Sequence, residues 1–189
     1  MHTRFSVPMA IAAIAFGTSA LAQQQQPQPQ QQPQQAEQSR QGPQPQELGG
    51  RQFLMQAIQG DLAEIALGEL AQQKGQSDEV REYGEKLVQD HSRSLEEARQ
   101  LAEADGIEVP EEPSPEAQQV HEQLVQLSGE EFDREFVRHM VEDHEKAISL
   151  FETQAEGSDT DTAEHAEETL PVLEEHLQIA ESIDPGNRG

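Results

Sequence analysis

From about residue 51 onward, apolar residues recur every three or four positions, which is the period of an amphipathic helix. No stretch shows the two-residue alternation that is typical of a strand. The pattern predicts four long helices, over residues 51–74, 77–106, 128–157 and 158–184. Long helices joined mostly by short turns favour an all-α fold, an antiparallel four-helix bundle.

The predicted helix boundaries depend on capping and helix-breaking residues. Ser77 can cap the second long helix, and Ser114 followed by Pro115 opens a short extra helix between the second and third long helices. The segment Ser128–Glu131 has the spacing of a capping box for the third long helix. Pro171 should kink the fourth long helix or make it restart.

Three histidines, His91, His144 and His176, occupy the apolar stripes of three different predicted helices. Each has apolar residues three and four positions before it and again four and seven positions after it. Those offsets share one helix face, so all three imidazoles should point inward. A buried imidazole needs a hydrogen-bond partner or a metal ion. His91 and His144 lie near the midpoints of their helices, whereas His176 lies beyond the middle, so its place in the same layer stays open.

The first long helix offers carboxylates at the same depth. Asp61 lies near the centre of its apolar stripe and Glu64 at the edge, one turn later. Two interpretations stay open: the three histidines and Asp61 or Glu64 bind a transition metal ion, or they form a metal-free buried polar network. Asp90 and Asp143 are expected to form salt bridges at the edge of the stripe, and His139 is expected to be solvated.

The chain divides into four segments. Residues 1–22 have the features of a secretory signal, with cleavage expected after Ala22. Residues 23–49 form a Gln/Pro-rich linker that is predicted to be disordered. The helical domain covers residues 50–183, and residues 184–189 form a disordered tail. This organisation predicts a periplasmic or secreted protein.

Composition excludes several classes of function. The chain has no cysteine, so disulfides, thiolate metal ligands and cysteine nucleophiles are all excluded. A formal net charge of −25 argues against nucleic acid as a partner, since phosphate binding needs clustered Lys and Arg. The apolar run of the signal is too short to span a membrane. The Gln/Pro linker is a candidate contact for a partner in the cell envelope.

Five motifs together resemble domain of unknown function 4142, a family of exported bacterial helical proteins. The resemblance spans nearly the whole predicted domain and implies a ferritin-like bundle, an exported location and no particular activity. Members are often labelled as outer membrane proteins. The motifs are Phe53–Leu70, Val88–His91, Phe132–Phe136, Val141–Lys146 and Leu170–His176.

The sequence departs from the di-iron pattern of ferritin-like proteins, which place a Glu three residues before a ligating His. Val88, Val141 and Leu173 stand at those positions here, so oxygen-activating chemistry does not carry over. If a metal ion binds, then Zn, Cu, Ni and Fe fit three histidines and one carboxylate equally well. We expect a non-enzymatic exported bundle in metal handling or envelope stress, or else a structural or partner-binding bundle. A metallo-enzyme is disfavoured, because no nucleophile, Gly-rich loop or separate acid–base pair is found.

Overall fold

The computed structural model describes residues 45–184, and these residues contain five helices and no strand. The all-α prediction is therefore confirmed over this range. The helices form a bundle, with a short helix following the second long one as expected. The helices are α1 (Pro45–Lys74), α2 (Asp78–Ala104), α3 (Pro115–Gln126), α4 (Gly129–Ala155) and α5 (Thr160–Ile183).

Most predicted boundaries agree with the structure. The Ser77 side chain accepts a hydrogen bond from the backbone N–H of Val80, and Ser114 accepts one from Ala117. The first helix differs, because it begins at Pro45 and not at residue 51. The predicted signal, residues 23–44 of the predicted linker and residues 185–189 of the predicted tail lie outside the described residues.

Two local predictions were wrong. The Ser128 side chain makes no capping hydrogen bond, since the following Gly129 has a left-handed backbone (φ +63°) and α4 begins without the capping-box geometry. The expected restart of the helix at Pro171 was also wrong, because α5 runs through this residue without interruption. Pro171 and Glu167, whose carbonyl loses its helical partner there, both lie on the exposed face, where water can satisfy that carbonyl.

The core consists of two apolar clusters, and a layer of buried polar residues separates them along every long helix. On α1 this layer contains Asp61 and Glu64, on α2 His91, on α4 His144 and on α5 His176. The first cluster includes Leu67, Leu87, Phe132, Phe136, Met140 and Ala180. The second cluster includes Phe53, Leu54, Ile58, Leu95, Phe151 and Leu173. The apolar core thus surrounds the polar layer and holds its side chains in place.

The helices pack most extensively in the pairs α1 with α2 and α4 with α5. Glycines allow the first pair to approach closely: a Cβ atom on Gly68 would lie 2.7 Å from the carbonyl oxygen of Gly84, and one on Gly84 would lie 2.7 Å from that of Gly68. Among residues 45–184, no helix has the length and apolar character needed to cross a membrane.

Candidate metal centre

The structure brings the three predicted histidines together at the centre of the bundle. His91 is 6 % exposed, His144 1 % and His176 0 %. One ring nitrogen of each lies within 4.8 Å of a ring nitrogen of the other two. His176, whose depth the sequence left open, therefore lies in the same layer as His91 and His144.

Asp61 orients the first of these imidazoles. Its Oδ1 lies 2.8 Å from Nδ1 of His91, and both side chains are buried. A carboxylate only accepts hydrogen bonds, so Nδ1 of a neutral His91 carries the proton and Nε2 keeps its lone pair. That Nε2 is buried without a hydrogen-bond partner among the described residues.

A backbone carbonyl orients the second imidazole. Nδ1 of His144 lies 2.9 Å from the carbonyl oxygen of Met140, one turn earlier on α4, so this nitrogen donates. Burial, followed by the charges of the neighbouring His91 and His176, lowers the pKa of His144 to about 3. His144 is therefore neutral at neutral pH, and its Nε2 is left without a proton.

Asp90 orients the third imidazole. Nε2 of His176 lies 3.0 Å from Oδ2 of Asp90, which is also bound by Lys86 at 3.1 Å. Partial burial alone would raise the pKa of Asp90, but hydrogen bonds from His176 and Lys86 lower it. Burial first, and then the charge of His91, lower the pKa of His176 to about 4. Asp90 thus forms the salt bridge expected from the sequence and also holds a core histidine.

The unprotonated nitrogens of two of these rings face each other. Nε2 of His144 and Nδ1 of His176 are 3.3 Å apart, and each ring already donates its one proton elsewhere. Two lone pairs at this separation repel each other unless a cation lies beside both of them. The outer oxygen partners of all three rings match the pattern that fixes histidine ligands of metal ions.

A small cavity of about 60 Å³ is lined by His91, His144 and Glu64. Glu64 is 4 % exposed, and neither of its oxygens has a hydrogen bond of ordinary geometry. Burial raises the pKa of Glu64 well above its ordinary value, and the carboxylates of Asp143 and Asp61 raise it further. The exposed Gln56 also lines this cavity, so it reaches the protein surface.

Two neighbours of the centre were missed or misplaced by the sequence analysis. Tyr83 packs edge-on against His176, with ring centroids 6.2 Å apart, and its buried hydroxyl has no hydrogen-bond partner among the described residues. Burial, followed by the charge of Glu64, raises the pKa of Tyr83. Its position eight residues before His91 was the available signal. His139 is half-buried and not solvated, and burial lowers its pKa.

The sequence matches the family described as a domain of unknown function, DUF4142, over residues 28–183. The chain belongs to this family. No curated protein matches the DUF4142 chain.

A solved structure shares the fold of the DUF4142 chain. It is a crystal structure of a DUF305 fragment from Deinococcus radiodurans, with a TM-score of 0.64 and 16 % sequence identity. The similarity covers 71 % of the DUF4142 chain and 94 % of the fragment. At this identity the comparison shows a shared helical fold alone.

The donor set of the DUF4142 chain suits a first-row transition ion. Two nitrogens bound to one tetrahedral ion at about 2.0–2.1 Å lie about 3.3–3.4 Å apart. The 3.3 Å between His144 and His176 has this value before any ion is added. Three neutral imidazoles are the ligands of Zn, Cu, Ni or Fe, whereas Ca²⁺ and Mg²⁺ prefer oxygen.

Proposed function

We propose that this protein is an exported, non-enzymatic bundle that binds one transition metal ion in metal handling or envelope stress. The ligands are His91, His144 and His176, and the carboxylate of Glu64, from the adjoining cavity, completes the set. Asp61 holds Nδ1 of His91 from the outer side of the ring. One observation carries the proposal: two unprotonated ring nitrogens face each other at 3.3 Å inside a buried layer. A cation that accepts both lone pairs turns this repulsion into bonding.

Charge balance supports the same proposal. Asp61 is buried beside His91, and its Oδ2 has no hydrogen-bond partner among the described residues. A buried carboxylate without a cation is costly. Lys86 balances Asp90, but none of the lysines or arginines in the described ion pairs reaches Asp61. A divalent ion at the histidines supplies the missing positive charge.

The proposal includes the ferritin-like arrangement of the four long helices. Residues of the second apolar cluster come first on α1 and α5, whereas residues of the first cluster come first on α2 and α4. This order supports α1 antiparallel to α2 and α4 antiparallel to α5, with α2 and α4 running in the same direction. The connection of residues 105–128, which includes α3, is long enough to return along the bundle between them.

The setting of the protein follows from its N-terminal segments. Residues 1–22 act as a signal that is cleaved after Ala22, and the Gln/Pro segment that follows separates the bundle from a cell-envelope partner. Metal binding then takes place in the periplasm or outside the cell. In this setting a cysteine-free histidine site has the advantage that it cannot be lost by thiol oxidation.

The direct test is the metal content of the exported chain, measured by mass spectrometry after purification without an affinity tag. About one equivalent is expected in the unmodified protein and none in His91→Ala or His144→Ala. His121→Ala is the matched control, since His121 lies on α3 away from the centre and should leave the content unchanged. Circular dichroism verifies that each variant is folded.

The competing hypothesis is a structural or partner-binding bundle with a metal-free polar network. The pairs Asp61–His91 and Asp90–His176 favour it, because they satisfy one nitrogen of each ring without an ion. No bound metal after incubation with Zn²⁺, Cu²⁺, Ni²⁺ and Fe²⁺ would establish that hypothesis. In that case His91→Leu would keep or raise the free energy of unfolding.

A further inference from the structure

A fourth buried histidine has no role in the centre described above. His165 lies on α5, about three turns before His176, and is only 4 % exposed. Its Nε2 is buried without a hydrogen-bond partner, and its Nδ1 lies 3.7 Å from Oε2 of Glu97, too far for a hydrogen bond. Among the described residues, neither ring nitrogen therefore has a hydrogen bond, and an unpaired buried nitrogen such as this Nε2 is rare.

His165 lines a surface groove between α2 and α5 with a volume of about 260 Å³. Apart from Gln100 and Leu101, the other groove residues are acidic and exposed: Glu97, Asp161, Glu164 and Glu168. Glu164 and Glu168 are one turn apart on α5, and Glu97 faces them from α2. Thus a single buried imidazole lies at the base of a groove with four carboxylates.

The protonation of His165 leaves a lone pair for a ligand. Burial lowers the pKa of His165, so the ring is neutral at neutral pH, although Asp61 and Glu97 act in the opposite direction. The 3.7 Å between Nδ1 and Glu97 is too long for a hydrogen bond, so we assign the ring proton to Nε2. With the proton on Nε2, the Nδ1 lone pair faces a carboxylate, and this contact is repulsive unless a cation lies between them.

We propose that this groove is a second, weaker site for a divalent transition ion, held by Nδ1 of His165 and the carboxylate of Glu97. These two atoms are 3.7 Å apart, and the Glu97 side chain is 48 % exposed. A small movement of this side chain would therefore bring both atoms within bonding distance of one ion. Glu164 and Glu168 line the same groove from α5. Exposed carboxylates exchange readily with solvent, so this ion binds and leaves faster than the buried one.

The imidazole decides which ions bind there. Carboxylates alone would favour Ca²⁺ or Mg²⁺, but a nitrogen ligand favours Zn²⁺, Ni²⁺ or Cu²⁺. The site shares no ligand with the histidine centre. Its existence can therefore be established whether or not the proposed core site binds metal.

The test is calorimetric titration of the full chain with Zn²⁺ in the presence of millimolar Ca²⁺. We expect a second, weaker equivalent of Zn²⁺ to bind. His165→Gln should abolish this binding and Glu97→Gln should weaken its affinity about tenfold. His91→Ala should leave it unchanged. His121→Gln is the control, because it also removes one histidine but lies outside the groove. Equal binding in His165→Gln, or displacement of Zn²⁺ by Ca²⁺, would overturn the proposal.

A second measurement does not depend on whether the buried substitution folds. The Nδ1 resonance of His165 in the unmodified chain, followed by nitrogen NMR, should shift as the weaker equivalent of Zn²⁺ binds. The resonances of His121 should stay constant. A constant His165 resonance throughout the titration would show that the ring takes no part in binding.

Discussion

Nε2 of His144 lies 3.3 Å from Nδ1 of His176, and the hydrogen-bond partners of the two rings leave neither nitrogen with a proton. A metal-free network of neutral histidines would place a donor opposite an acceptor. Here the Met140 carbonyl and the Asp90 carboxylate fix both rings in the wrong tautomers for such a bond. The arrangement is stable with one more positive charge, either a shared proton or a metal ion.

Metal binding should raise the thermal stability of the unmodified chain and leave that of His144→Ala unchanged. A free Zn²⁺ concentration one hundred times the Kd stabilises the folded state by about 2.7 kcal/mol. For a domain of this size the midpoint should rise by roughly 10 °C. Differential scanning calorimetry with and without Zn²⁺ measures the shift. An equal shift in His144→Ala would mean that the ion binds elsewhere.

Asp61→Asn should weaken metal binding by about 10- to 100-fold, because the carboxylate that orients His91 and raises its basicity is lost. The amide fills nearly the same volume, so the fold should persist. Asp105→Asn is the matched control, since Asp105 is exposed at the end of α2. Competition with a chromophoric chelator gives the affinity of each variant. An unchanged Kd in Asp61→Asn would remove this residue from the centre.

Acid should destabilise the metal-free chain well above the pH at which its carboxylates titrate. The folded pKa values of His144 and His176 are about 3 and about 4, below the ordinary value of 6.5. Below pH 6.5 these two histidines bind protons in the unfolded chain but not in the folded chain. Their contribution to the free energy of unfolding is therefore complete above pH 6.5. It is then lost as the pH falls toward 4, at about 1.4 kcal/mol per pH unit for each ring.

The urea midpoint of the metal-free protein, measured at pH 7, 6 and 5, tests this dependence. His144→Phe should reduce the pH dependence of the free energy of unfolding by about one bound proton. His121→Phe should leave this pH dependence unchanged. A midpoint that stays constant from pH 7 to pH 5 would show that these rings are protonated in the folded chain.

Glu64→Gln should stabilise the metal-free chain at pH 7–8 by roughly 1–3 kcal/mol. The pKa of Glu64 is raised in the folded chain, so this group contributes to the free energy of unfolding when the pH is below its ordinary pKa. The contribution is lost as the pH rises. At pH 4 the variant and the parent should unfold alike. If Zn²⁺ affinity also falls in Glu64→Gln, then Glu64 supplies a carboxylate to the bound ion.

Gly68→Ala should destabilise the bundle by roughly 1–3 kcal/mol, because the new methyl group would lie 2.7 Å from the Gly84 carbonyl oxygen and push α1 away from α2. Gly60→Ala is the control on the same helix, since nothing lies within 4 Å of its Cβ position. That substitution should stabilise by about 0.5–1 kcal/mol through helix propensity. Urea unfolding compares the two, and equal changes would contradict the close packing.

The apolar period was sufficient to predict the helices and the inward direction of His91, His144 and His176, because burial follows directly from position on a stripe. It could not predict that His176 reaches the same layer, since the offset between helices depends on the connections and on packing. The pairing of Asp90 with His176 also depends on two helices far apart in the sequence. His165 illustrates the same limit, because the groove that it lines with Glu97 depends on how α2 and α5 pack.

The separation of the ligands between two helix pairs has a mechanical consequence. Asp61 and His91 belong to the pair α1 and α2, whereas His144 and His176 belong to the pair α4 and α5. An ion bound to all three imidazoles would connect the two halves of the bundle and close a loop of roughly fifty residues, as a disulfide bond does in many secreted proteins. This chain has no cysteine with which to make such a bond. A reversible cross-link of this kind would let the metal supply set how readily the two halves separate.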